Sequence, residues 1–204
     1  MADSPRRRST ARSTPALPVR KLGPRYRPAP LTISRPELIV NGSDTEFREL
    51  VHNLFGFFAL HERIRRGHAR YLGLAGIEYT VLIAIAHLAA DGAVNVKTVA
   101  DHLHLSGAFI TSTTRRLLRL GLVYKTVDTA DRRRVTLTVS GKGRAALEKL
   151  APAQRRVNDV EFGCLNREEF RALNNLMRRM IESGNRAVAL QDYLLAGGTI
   201  SGDD

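Results

Sequence analysis

The stretch Asn95-Val-Lys-Thr-Val-Ala-Asp-His-Leu-His-Leu-Ser106, extended to Gly143, decides the fold. Val96, Val99, Ala100 and Leu103 recur at i, i+3, i+4 and i+7, which predicts a short helix over Val96 to Leu103 with one buried face. Ser106 then supplies an N-cap for a second helix. Ile110, Thr114, Leu117 and Leu118 line one side of it, while Phe109, Ser112, Arg115, Arg116 and Arg119 lie elsewhere. Gly121 is placed to end that helix as a C′ residue. Leu122 to Val127 and Val135 to Val139 alternate like strands around the loop Asp128-Thr-Ala-Asp-Arg-Arg-Arg134. The order is helix, tight turn, helix, basic hairpin.

This order resembles the MarR (multiple antibiotic resistance regulator) family of winged-helix transcription factors. The most specific match is Asp131-Arg-Arg-Arg-Val-Thr-Leu-Thr138, which fits the family's wing pattern Asp-x-Arg-x-Val-x-Leu-Thr and runs into Ser140-Gly-Lys-Gly143. The resemblance covers roughly Phe47 to Leu195. At His104 the family commonly has glycine, so a histidine there would have to adopt a left-handed backbone. The implied fold class is mainly α with a small β-wing: a winged helix-turn-helix domain, plus N- and C-terminal helices forming a dimer bundle.

With 204 residues, 43% of them hydrophobic, the chain can bury one substantial core. Residues 1–36 hold nine of the 32 basic residues, one of the 20 acidic residues and seven of the eight prolines, so they read as a disordered basic arm. The remainder is only mildly basic, and both parts favour a polyanionic partner such as DNA. Such an arm is either a solvated tail or a second DNA contact beside the main site. Ser43-Asp-Thr-Glu46 reads as a capping box opening a first helix, in which Phe47, Leu50, Val51, Leu54, Phe57, Phe58, Leu60, His61 and Ile64 make a wide apolar surface. A core helix is expected over Ile77 to Ala90.

After the wing, Ser140 can cap a long helix that Pro152 is expected to bend or restart. Asn166 can cap a last helix bearing Phe170, Leu173, Leu176, Met177, Met180 and Ile181. The expected divisions are therefore the arm at 1–36, an N-terminal dimerisation helix at 43–72, the winged domain at 73–140, C-terminal dimerisation helices at 141–196 and a tail at 197–204.

Several chemistries are disfavoured. The longest apolar run, Val81 to Ala90, is interrupted by His87 and falls short of the roughly 20 residues a membrane span needs. No secretory signal is visible, and the single cysteine, Cys164, suits a reducing cytoplasm. No serine elbow, phosphate loop or paired carboxylate motif suggests an enzyme, and no cofactor is expected. His102 and His104 do not share a helix face and have no cysteine-rich partner segment, so no metal site is expected. Cys164 is expected to be packed or inert, with a redox-responsive regulator as the alternative.

The candidate DNA-binding residues are Ser106, Phe109, Thr111, Ser112, Arg115, Arg116, Arg132, Arg133 and Arg134. The resemblance implies that one wing arginine enters the minor groove while Asp131 fixes a neighbour. It also implies a homodimer on an inverted-repeat operator in double-stranded DNA, with a small aromatic acid or its CoA thioester as effector. Phe58, His61, Arg65 and Tyr79 are the effector residues so implied. Some relatives place an arginine directly after the aromatic residue corresponding to Tyr79. Here that position is Thr80, so carboxylate recognition falls to His61 or Arg65. The expected function is a ligand-relieved repressor; the rival is a sequence-tolerant architectural DNA-binding protein.

Overall fold

The computed structural model describes residues 30–127 and 135–199. Six helices and one hairpin run in order: α1 Thr45–Tyr71, α2 Gly76–Leu88, α3 Val96–Leu103, α4 Gly107–Arg119, β1 Val123–Val127, β2 Val135–Val139, α5 Gly141–Glu161 and α6 Arg167–Leu195. The chain divides into two compact units, one ending at Leu54 and one beginning at Phe55, and α1 runs through the division.

In the first unit a two-residue turn at Asn41 (φ 52°) and Gly42 (φ 73°) folds Val40 back on Ser43, with N–H···O bonds of 2.9 and 3.0 Å in both directions. Asp44 is the hub. Its carboxylate accepts from the Thr32 amide and hydroxyl, both at 2.8 Å, and from Arg48 Nε at 2.9 Å. The Arg48 side chain, followed by Thr32, holds the Asp44 carboxyl far below the ordinary carboxylate range. Two expectations change here. Helix α1 opens at Thr45, and the Ser43 hydroxyl accepts from the Thr45 amide at 3.2 Å rather than reaching Glu46. Residues 30–36, expected to belong to the arm, are tied down through Thr32 and through Arg48, which donates to the Pro30 carbonyl at 2.7 Å.

In the second unit α2 is the central element. Val81, Leu82 and Ile85 are fully buried, packed with Val99 of α3, Ile110 and Leu117 of α4, and Val123 and Leu137 of the hairpin. Burying a side chain of this size contributes about 1.5–3 kcal/mol, so this cluster dominates the stability of the domain. Helix α3 spans the predicted Val96–Leu103. The Asn95 side chain accepts from the Thr98 amide at 3.0 Å, and the Thr98 hydroxyl lies 2.9 Å from the Asn95 amide that donates to it. It ends at His104, which does adopt the left-handed conformation (φ 53°, ψ 42°), letting the Leu105 amide reach the Ala100 carbonyl at 3.0 Å.

Ser106 caps α4, accepting from the Phe109 amide at 3.2 Å, and Gly121 (φ 71°) closes it. The hairpin is antiparallel, with Val123 opposite Val139 and Val127 opposite Val135. Residues 128–134, and with them the expected roles of Asp131, Arg132, Arg133 and Arg134, lie outside the described residues, as do residues 1–29 of the arm.

Ser140 joins three elements. Its hydroxyl accepts from the Gly143 amide at 2.9 Å as the N-cap of α5 and donates to the Gly121 carbonyl at 2.7 Å, while its own amide donates to Leu122 at 2.9 Å. The packing is so close that a Cβ at Gly143 would stand 2.3 Å from the Leu122 carbonyl oxygen. Helix α5 is continuous through Pro152, so of the bend or restart expected there the restart does not occur. Pro152 and Glu148, whose carbonyl loses its partner, are both exposed, so water can satisfy that carbonyl. Helix α6 starts on an Asn166–Glu169 capping box and contains no buried residue.

Candidate functional site

The outer face of α4 is made by a simple division of labour. Ile110, Thr113, Thr114 and Leu117 are buried against the core, and the two threonine hydroxyls donate to backbone carbonyls one turn back, at 3.0 Å to Phe109 and 2.8 Å to Ile110. Ser106, Ser112, Arg115, Arg116 and Arg119 are exposed, and Phe109 stands among them with nearly half its surface in solvent. The predicted residues are not equivalent. Thr111 turns its hydroxyl to the Gly107 carbonyl at 2.8 Å, and Arg116 Nε lies 3.6 Å from the mostly buried Glu78 carboxylate at the start of α2. Among the described residues, Ser112 and Arg115 have no such tether. Arg119, on the same face, belongs with this group although it was absent from the predicted set.

The predicted effector residues lie along a string of polar groups between α1, α2 and α5. Arg65 donates to the Thr80 hydroxyl at 2.6 Å and to the Glu62 carboxylate, and Thr80 passes the bond on to the Gly76 carbonyl at 2.9 Å. Tyr79 is buried with its ring edge-on to His68, centroids 6.0 Å apart. His61 Nδ1 lies 2.9 Å from Glu161 Oε1, and its ring stacks on Phe57 at 5.8 Å. Phe58 is half exposed and meets Phe57, with ring centroids 6.0 Å apart. Burial pushes the Tyr79 phenol up, against the opposing charge of Arg65. Burial pushes the His68 imidazole down; Glu161 pulls it back up and His61 lowers it further.

Two members of the string, His68 and Glu161, escape sequence reading. His68 is two helical turns beyond His61 on the same face, a spacing that offered a signal; Glu161 is a hundred positions from its partner and offered none. Among the described residues, three buried polar atoms have no hydrogen-bond partner: Arg65 Nε, His68 Nε2 and Glu161 Oε2. All three belong to this string, and such groups are rare enough to require a reason.

A cavity of about 1010 Å³ lies along α1 and α5 and is bordered by Phe57 and Glu161 of this string. Leu60, Ile64, Val157 and Val160 line it together with Arg63 and Arg156, and none of the four predicted effector residues does. Among the described residues no group of three or more metal-ligating side chains occurs, and no single helix is long and apolar enough to cross a membrane. Cys164 is exposed, so of the packed or inert thiol expected there the packed alternative does not hold.

Two helices joined through a left-handed residue, with an antiparallel hairpin packed on the second, define a winged helix-turn-helix protein. Residues 72–134 match the model of the MarR family. It is 29% identical over 137 residues to the HTH-type transcriptional repressor NicR of Pseudomonas putida, covering 67% of this chain and 84% of the relative. It is 25% identical over 122 residues to the transcriptional regulator SarZ of Staphylococcus aureus, covering 60% and 82%. Among solved structures it resembles Bordetella bronchiseptica BpsR, described as regulated in DNA binding by 6-hydroxynicotinic acid, at TM-score 0.52 and 28% identity over 63% of this chain and 90% of that one. AbsC of Streptomyces coelicolor shares the fold at TM-score 0.60 and 19% identity, over 70% and 96%.

Proposed function

We propose that this chain is a sequence-specific DNA-binding transcriptional regulator, a homodimer that represses until a small aromatic acid or its CoA thioester releases it. The observation that carries the reading is the exposed face of α4. Ser112 and Arg115 project from a capped helix whose opposite face is locked into the core, which suits a helix laid in a major groove with its side chains on base edges and phosphates. Arg65, His61 and Tyr79 supply the effector cleft, and BpsR, with its 6-hydroxynicotinic acid, lends support to an aromatic acid there. The dimer is supported by α6, whose Phe170, Leu173, Leu176, Met180 and Ile181 form a helical stripe at 40–57% exposure that no described residue covers.

The test is a footprint of the full chain on the DNA upstream of its own gene, in excess random DNA. Protection of an inverted repeat that survives competition and is lost on adding an aromatic acid is the expected result. Protection that random DNA removes would instead indicate sequence-tolerant, architectural binding.

A further inference from the structure

The three unpartnered atoms of the α1–α2–α5 string ask for different things. Arg65 Nε can only donate, Glu161 Oε2 as a carboxylate oxygen can only accept, and His68 Nε2 takes either role according to its tautomer. A carboxylate on the effector answers Arg65. It cannot answer Glu161, because two carboxylates brought together repel.

Glu161 is also held. His61 occupies its Oε1 at 2.9 Å, the His61 ring is stacked on Phe57, and Phe162 lies edge-on to both rings at 6.1 and 6.5 Å. The side chain is 7% exposed, so bulk water does not serve Oε2. A fixed, buried acceptor of this kind discriminates strongly, since a ligand that displaces water from it without offering a donor leaves a charged group unsatisfied. We propose that Glu161 is a specificity-determining residue of the effector cleft, selecting aromatic acids that carry, besides the carboxylate, an N–H or O–H donor. Hydroxypyridine carboxylates and hydroxybenzoates are the simplest members of that class. The inference rests on the effector reading under the proposed function and adds to it the demand for a donor.

The experiment is calorimetric titration of the full chain with two matched pairs: 6-hydroxynicotinate against nicotinate, and 4-hydroxybenzoate against benzoate. The hydroxylated member of each pair is expected to bind about 10- to 100-fold more tightly. In Glu161→Gln, with its thermal melt checked against the parent, that ratio should fall below about threefold, chiefly through weaker binding of the hydroxylated acids. In His68→Gln the ratio should persist. Equal binding within both pairs, or a ratio that survives Glu161→Gln, overturns the role of Glu161. A ratio lost in His68→Gln but kept in Glu161→Gln overturns it too, and moves donor recognition to His68. Arg65→Gln separates the effector cleft from the demand for a donor: loss of all four acids there keeps the cleft reading standing whatever the ratio does. If none of the four acids binds the parent chain, both readings fall.

Discussion

Arg115 and Arg116 are neighbours in sequence and both are exposed, yet they answer to different partners. Arg116 shares its charge with Glu78, while Arg115 has no carboxylate within ion-pair distance among the described residues. Arg115→Ala is therefore expected to weaken operator binding and to lower the slope of log affinity against log salt by about one unit, as a lost phosphate contact does. Arg116→Ala should cost less. Anisotropy titrations over a salt series compare the two, and an equal loss in both would show that Glu78 yields Arg116 freely to DNA.

His68 makes the stability of the fold depend on pH. Its folded value lies below the ordinary 6.5, so the unfolded chain holds the proton more tightly than the folded one. The stability from the neutral imidazole is fully present above about pH 6.5 and is lost as pH falls below it. Denaturant melts between pH 7.5 and 5.5 should show a falling midpoint, and His68→Gln should flatten that fall.

Among the elements, the joint of α4, the hairpin and α5 is closely packed. Gly143→Ala would drive a methyl carbon onto the Leu122 carbonyl, a backbone atom that cannot swing aside. A loss of about 1–3 kcal/mol is expected, read as a lower denaturation midpoint with an unchanged m-value. The glycine of Ser140-Gly-Lys-Gly143 was visible in the sequence; its reason, a close approach of two backbones, was not.

The same contrast runs through the whole chain. Helices α3 and α4 were legible because a periodic apolar face, a capping side chain and a stop residue all act within a few positions. So was the backbone of His104, where a side chain occupies a place in the turn that glycine usually fills. At Pro152 the sequence did not tell that the helix runs on without a restart, because whether water can reach the freed carbonyl is a tertiary property. Glu161 and its partner atoms stayed hidden because their environment is assembled from three helices far apart in sequence. For the proposed DNA face the sequence indicated the exposed side of α4, but not that Thr111 bonds its own helix or that Arg116 leans on α2.

For the molecule as a whole, α6 poses the central question of stability, since none of its 29 residues is buried in a single chain. Its apolar stripe is expected to be covered by a second copy. Leu176→Glu with Met180→Glu should then yield a monomer by sedimentation, with the core domain still folded and inverted-repeat binding lost. Two half-sites about 34 Å apart can be read together only by a joined pair. A double variant that remained dimeric would place the interface elsewhere.

Helix α5 ends at Glu161 on one side and is bolted through Ser140 to the end of α4 and the base of the wing on the other. Its 21 residues make a rod roughly 30 Å long. On the proposed reading, a molecule lodged against Glu161 would push on the far arm of a lever whose fulcrum carries both parts proposed to read DNA. A tilt of about 5° moves that arm by about 3 Å, on the order of one helix side chain's width. Because a single hydroxyl ties the end of α4 and the base of the hairpin to the same pivot, they would turn as one jaw, and the DNA contacts proposed for both would be lost in the same stroke.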